Sequence, residues 1–301
     1  MNPGRTHVRI TSLQGPHGAY AAVVTPHGPV PIRRIADVSG DAWPATVQGL
    51  LQAEKLTALH AWLDTNAALL PSLVEDAGHR AAPLLQHPPK ILGVGLNYAE
   101  HAGDLGETRP DEPATFMKPY TSIIAAGETI PIPRQSERTT GEAELGLVMG
   151  AHGKDVAEAE AASLIAGVTT IIDMTAEDIL QRNPRFLTRA KSFDGFLVLG
   201  PDLVTLDELP AGAAERLDLN GVEVTTLHNG APARRNVVAN MLHSPAKLVA
   251  FFSAIMPLEP GDVISTGTPG AVPLAHGDTV GCAIPGVGEV TCPVVDRKVD
   301  A

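Results

Sequence analysis

Apolar residues alternate with polar ones near the N-terminus, at Val8 and Ile10 and again at Tyr20, Ala22 and Val24, between turns such as Gly15-Pro16 and Pro26-His27-Gly28-Pro29. A period of two sends successive side chains to opposite faces, so the first 35 residues predict two or three strands. From Trp43 to Leu70 the spacing lengthens (Val47, Leu50, Leu51, then Leu56, Leu59, Trp62, Leu63), which predicts two helices. Pro83 and the pair Pro88-Pro89 break the pattern, and a domain boundary is placed there. The expected organisation is a small N-terminal α+β domain over 1–85 and a larger domain over 86–301.

Beyond the boundary, Lys90 to Leu96 is a short apolar run ending at Asn97-Tyr98, the pattern of a buried strand entering a loop. Residues 142–149 predict a second strand, Val156 to Leu164 an Ala/Glu-rich helix, and the β-branched run Val168 to Ile172 a third strand. Phe196 to Val299 reads as short strands separated by turns such as Asn220-Gly221, Asn229-Gly230 and Pro260-Gly261-Asp262. One helix interrupts them, Ser244 to Met256, with Ser244 as N-cap and Pro245 in its first turn. The 29 glycines and 26 prolines, spread along the chain, agree with many turns between short strands.

Charge narrows the function classes. With 22 Lys+Arg against 34 Asp+Glu the net charge is −12, which argues against binding to a phosphate backbone. No apolar stretch approaches the ~20 residues of a membrane-spanning helix, and no N-terminal secretory signal is read, so no membrane partner and a cytoplasmic location are expected. The two cysteines, Cys282 and Cys292, read as reduced interior residues. Gly93-Val94-Gly95 lacks the third glycine and the following helix of a dinucleotide-binding turn.

The candidate chemistry begins at Glu142 and Glu144, which lie two apart on a strand and therefore share a face. Two such carboxylates repel unless a cation or donor stands between them. They are either ordinary residues of a solvent-facing strand or, given the interior character of Leu145, Leu147 and Val148, a half-buried pair in need of partners. Asp173 closes the run Val168, Ile171, Ile172; it is either the cap of a helix starting at Met174-Thr175-Ala176-Glu177 or a third oxygen ligand. Three hard oxygen donors suit Mg²⁺ or Mn²⁺ better than Zn²⁺. Sequence spacing does not bring the three together.

Several ordered segments carry a resemblance: Gly95-Leu96-Asn97-Tyr98-Ala99-Glu100-His101, Pro113-Ala114-Thr115-Phe116-Met117-Lys118-Pro119, Glu142-Ala143-Glu144-Leu145, Asp173-Met174-Thr175-Ala176-Glu177-Asp178, Lys191-Ser192-Phe193-Asp194 and Gly267-Thr268-Pro269-Gly270. In this order, from Lys90 to Val295, the chain resembles the fumarylacetoacetate hydrolase family. The resemblance implies a β-rich α+β fold, the family's mixed β-sandwich roll behind a small N-terminal domain, and pairing into a homodimer. It implies that Glu142, Glu144 and Asp173 hold one Mg²⁺ or Mn²⁺, that Lys191 reaches into the pocket and that Thr268 lies at its wall; Lys118, in Met117-Lys118-Pro119, is either near the pocket or paired with a surface acid. His101 matches the family's loop histidine, working with an acid three positions on, here Asp104 where Glu is usual. Three positions depart from the family pattern: Ile172 stands where Asn is frequent, Glu177 where Arg is, and Leu180 where Gln is.

A 2-oxo acid offers its carboxylate and carbonyl oxygens to a hard cation acting as Lewis acid. The expected activity is therefore hydrolytic C–C cleavage of a 2,4-dioxo acid through an enolate. His101 would be general base, oriented by Asp104; Lys191 would stabilise developing charge; Thr268 and Lys118 would contact substrate. Alternatives are tautomerisation or decarboxylation of a related oxo-diacid, and a non-catalytic metabolite-binding role suggested by Glu177 and Leu180.

Overall fold

The computed structural model describes residues 8–75, 80–98, 111–210 and 212–299. The chain opens with an antiparallel meander, β1 (Arg9–Gly15), β2 (Gly18–Thr25) and β3 (Gly28–Pro31). Both connections read Pro-His-Gly, with proline at the first corner and a glycine of positive φ (Gly18 at 118°, Gly28 at 125°) re-entering the next strand. Helices Ile32–Ser39, Val47–Gln52 and Leu56–Asn66 follow, the second capped by the Thr46 hydroxyl, which accepts from Gly49 N at 3.1 Å.

The remaining strands are β4 (Arg80–Ala81), β5 (Ile91–Gly95), β6 (Ala114–Met117), β7 (Ile123–Ile124), β8 (Ile130–Ile132), β9 (Thr139–Met149), β10 (Ile165–Ala176), β11 (Leu197–Leu199), β12 (Asp202–Val204), β13 (Glu223–His228), β14 (Ala231–Val237), β15 (Val263–Ser265), β16 (Val272–Pro273), β17 (Thr279–Ile284) and β18 (Gly288–Asp296). They form two sheets. The larger runs β3-β2-β1-β12-β10-β9-β15-β5-β6, with β11 also on β10, β16 on β9, β4 on β1 and β7 on β11; the smaller runs β14-β13-β17-β18-β8. This mixed, strand-rich architecture is the β-rich α+β fold that the sequence implies. The large sheet and one of its cores cross residue 85 without a break: β1 pairs with β12, and Ile10 and Leu50 share a cluster with Val148, Ile171 and Val263.

Strands β9 and β10 are the centre. Every residue of β9 and all but Ala166 of β10 are buried, because the sheet is covered on both faces. On one face Ala143, Leu145 and Leu147 pack with Val280, Cys282 and Val290 of the small sheet. On the other, Val148 and Ile171 meet the N-terminal helices. The Val156–Leu164 segment, expected as an α-helix, is a 3₁₀ helix over Glu158–Leu164. Its two buried residues, Ala161 and Leu164, are three apart, and a three-residue turn stacks that spacing on one edge. The helix Pro245–Ile255 starts as expected, with the Ser244 hydroxyl accepting from Lys247 N at 3.2 Å. Cys282 and Cys292 are buried free thiols. Among the described residues no helix is long and apolar enough to cross a membrane.

Candidate metal centre and active site

The antiparallel register of β9 and β10 decides which acids meet. Glu142 lies directly opposite Asp173, and Glu144 opposite Ile171, so Glu144 is the diagonal neighbour of Asp173 on the same face. Their carboxylates converge until one oxygen of each lies within 4.8 Å of the others. Asp173 is thus a strand residue; the helix it might have capped begins at Glu177.

Each carboxylate is held by the chain. Glu144 Oε2 accepts from Ser265 Oγ at 2.5 Å and from Gly267 N at 2.8 Å. Gly267 has φ 98°, and a Cβ there would come within 2.8 Å of Asn97 Cβ, so a glycine is what allows this amide to point at the acid. Glu142 accepts from Thr175 Oγ1 (2.8 Å), Thr140 Oγ1 (3.3 Å) and Lys191 Nζ (3.0 Å). Asp173 binds two ammonium groups, Lys191 Nζ at 2.8 Å on Oδ2 and Lys118 Nζ on Oδ1; Lys118 also donates to Met174 O at 3.1 Å.

Two aromatic rings flank the lysines. Lys191 Nζ lies 4.7 Å from the centre of the Phe116 ring, and Lys118 Nζ 5.9 Å from those of Phe116 and Phe196. The Phe116 ring occupies the space over Gly93, where a Cβ would stand 2.2 Å from Cζ. The glycine of Gly93-Val94-Gly95 therefore serves an aromatic ring and no phosphate.

The electrostatics of the cluster are uneven. Burial, followed by repulsion from Asp173, pushes Glu144 up to about 8. Burial acts on Asp173 in the same sense, but Lys118 and Lys191 overcome it and hold the group below its ordinary value. Burial pushes Lys118 down to about 8 against the pull of Asp173, whereas the three acids, Asp173 foremost, keep Lys191 above its ordinary value in spite of burial. Three carboxylates thus face two ammonium groups, and the deficit of positive charge falls at Glu144. Glu144 Oε1 has no protein donor among the described residues, and the donor set is all oxygen. These residues fit a divalent, oxygen-seeking cation.

The profile of the fumarylacetoacetate (FAA) hydrolase C-terminal family matches residues 90–295. The chain belongs to the fumarylacetoacetate hydrolase family. An uncharacterised member from Pyrococcus horikoshii is 38% identical over 213 residues, 69% of this chain and 89% of that protein. The X-ray structure of 5-carboxymethyl-2-hydroxymuconate delta-isomerase from Mycobacterium smegmatis is 31% identical and superimposes with a TM-score of 0.69 over 96% of this chain and 99% of that one. Fumarylacetoacetate hydrolase from Exiguobacterium antarcticum, 24% identical, shares the fold with a TM-score of 0.79 over 96% of this chain and 100% of its own.

Of the expected site residues, the fold gathers Glu142, Glu144, Asp173, Lys191 and Lys118 into one buried cluster. Lys118, expected to contact substrate, is bound to Asp173. Thr268 follows Gly267 in the same turn and is buried, its hydroxyl 3.2 Å from Gly270 N. His101 and Asp104 lie outside the described residues. Thr140, Thr175, Ser265, Gly267 and Phe116 were not anticipated. The two threonines carried a legible signal, since each lies two residues from an acid on its own strand and so shares its face; Ser265 ends a third strand and Gly267 lies in the turn after it, and no local spacing ties either to Glu144.

The three family departures are accommodated. Ile172 points away from the acids into the core between the sheets, and Leu180 packs against that core. Glu177, where a family arginine is frequent, accepts from Arg138 Nε at 2.5 Å and from Gln181 Nε2 at 2.9 Å. Arg138 immediately precedes β9 and is exposed, and it answers the Glu177 charge just beyond the end of β10.

Proposed function

We propose that the protein is a divalent-metal-dependent hydrolase that cleaves a C–C bond of a 2,4-dioxo acid. One observation carries this: Glu142, Glu144 and Asp173 converge within 4.8 Å in a buried cluster that already contains two ammonium groups. Glu142, Glu144 and Asp173 would hold one Mg²⁺ or Mn²⁺, which supplies Lewis-acid polarisation of the 2-oxo carboxylate.

The chain's own groups do the rest. His101, oriented by Asp104, takes a proton from water as its oxygen attacks the C4 carbonyl carbon. The C3–C4 bond breaks, its electron pair passes into the enolate of the pyruvate fragment, and the proton held by His101 returns to C3. The products are pyruvate and a carboxylic acid. Lys191 balances the charge growing on the 2-oxo oxygen. Lys118 keeps Asp173 ionised and oriented, and Thr268 with the adjoining turn amides contacts the substrate carboxylate. With a divalent ion the cluster carries a net charge of +1, matched to a monoanionic oxo-acid head group.

A second reading, isomerisation of an oxo-diacid, is favoured by the 31% identical isomerase, whose coverage extends to 96% of this chain. It needs proton transfer but no attacking water. The test is a panel of acylpyruvates, oxaloacetate and muconate-type oxo-diacids, assayed with Mg²⁺ and with Mn²⁺. Release of pyruvate from acetylpyruvate supports hydrolysis; ultraviolet shifts of an oxo-diacid without cleavage support isomerisation. Turnover of neither, with oxalate still bound in calorimetry, would leave a metabolite-binding role. A homodimer in the cytoplasm belongs to the same proposal, and light scattering checks the dimer.

A further inference from the structure

Strand register places Phe116 against the acid cluster. Phe116 on β6 lies opposite Gly93 on β5, and Gly93 lies opposite Ser265 on β15, the residue whose hydroxyl donates to Glu144. Residues opposite one another on neighbouring strands share a face, so the three form a row across the sheet. Gly93 leaves a gap in that row, and the Phe116 ring fills it. A Cβ on Gly93 would stand 2.2 Å from Phe116 Cζ and 2.3 Å from Cε2. The half-buried ring therefore reaches from β6 over β5.

Lys191 ends the helix Leu187–Lys191 and is buried, and its ammonium stands over this ring, 4.7 Å from the centre. Lys118 is farther off, at 5.9 Å, near the limit of such contacts. An ammonium carries three N–H donors. Two of those on Lys191 are answered, by Glu142 Oε2 at 3.0 Å and Asp173 Oδ2 at 2.8 Å. Among the described residues no third oxygen accepts from Nζ, and the remaining close neighbour is the ring. The negative face of an aromatic ring attracts a cation without offering it an oxygen lone pair. It steadies the charge and leaves a donor unspent, whereas a carbonyl, hydroxyl or carboxylate in its place would consume that donor.

We propose that Phe116 is a positioning residue for Lys191: its ring holds the ammonium at the acid cluster with one N–H left for an anionic oxygen of the substrate. The proposal rests on the oxo-acid reading above, in which Lys191 balances charge on the 2-oxo oxygen. It also gives Gly93 a role, since a side chain there would push the ring off β5.

The test replaces Phe116 with phenylalanines bearing one, two and three ring fluorines, which withdraw the negative face and keep the ring. Oxalate, whose adjoining oxygens resemble those of an enolised 2-oxo acid, is the probe. In calorimetric titration of the Mn²⁺-loaded protein, oxalate affinity should fall stepwise, to about 10-fold below wild type at three fluorines, while Mn²⁺ affinity stays within about 3-fold. Phe116→Leu and Gly93→Ala, which remove or displace the ring, should weaken oxalate at least as much. Without metal, the melting temperature should fall in the same order, because ring and ammonium already meet there. Oxalate affinity that ignores the fluorines, with or without a change in melting temperature, or that drops only in step with Mn²⁺ affinity, would overturn the role of Phe116; oxalate would still bind the wild type, and the oxo-acid reading would stand. Failure of the Mn²⁺-loaded wild type to bind oxalate would overturn both.

Discussion

The two faces of β9 are equally buried and chemically opposite. Ala143, Leu145 and Leu147 look into the core between the sheets, where any apolar group of suitable volume makes contacts of much the same kind. Glu142 and Glu144 look the other way, and each needs particular donors: two threonines and a lysine for one, a serine and a glycine amide for the other. Removal from water is the same event on both faces. It favours the first face through the hydrophobic effect and penalises the second unless every charge is answered. A buried face whose charges are answered short of neutrality, as here at Glu144, has a donor set that fits a cation, which the apolar face does not.

Substitutions on each face test that contrast. The largest effect is expected for Asp173→Asn, which keeps the shape and leaves Lys118 and Lys191 without the counter-charge they share. Denaturant unfolding should show a loss of about 3–5 kcal/mol, the cost of breaking a buried ion pair from one side, together with loss of Mn²⁺ binding. On the other face, Leu145→Ala should lose a comparable ~2–5 kcal/mol through cavity formation. The folded fraction should still bind Mn²⁺ within about 3-fold of wild type, because 1.4 kcal/mol per tenfold leaves little room for a transmitted effect. If Leu145→Ala abolishes Mn²⁺ binding, the two faces are not separable.

Smaller changes refine it. Thr175→Val removes the shorter of the two hydroxyl bonds to Glu142 and should lower stability by about 2 kcal/mol, as expected for a hydrogen bond to a charged group, in urea titrations. The smallest effect concerns a half-buried acid outside the cluster, for comparison. Asp278 accepts from Asn229 Nδ2, His228 and Ala275 N, and although burial opposes it, these bonds hold the group below its ordinary value. A depressed native pKa contributes stability above the unfolded value of about 3.9, and that contribution is lost as pH falls through the native value. Asp278→Asn should therefore lower the melting temperature slightly at pH 7, where that contribution is present, and flatten its dependence on pH below about 4, in thermal scans.

Much of the fold was legible because it is local. Turn chemistry gave the Pro-His-Gly hairpins, and Ser244-Pro245 gave a helix start. The 158–164 segment was misjudged because its 3₁₀ form answers to the tertiary spacing of Ala161 and Leu164 rather than to the helix propensity of Ala and Glu. The proline-rich break near residue 85 says nothing of which strands share hydrogen bonds across it, and the pairing of β1 with β12, nearly 200 residues apart, is set by the tertiary structure. The acids were visible as types and spacings, but Ser265 and Gly267 come from a segment far along the chain, and nothing in its local pattern says that it reaches Glu144.

The sequence alone determined which residues could do the chemistry and how each strand distributes them between its two faces, since both follow from side-chain type and a period of two. The tertiary structure decided that Glu142 stands opposite Asp173 and not one residue aside. A slip of one position would turn the acid to the other face, and only the packing of both buried faces holds that register.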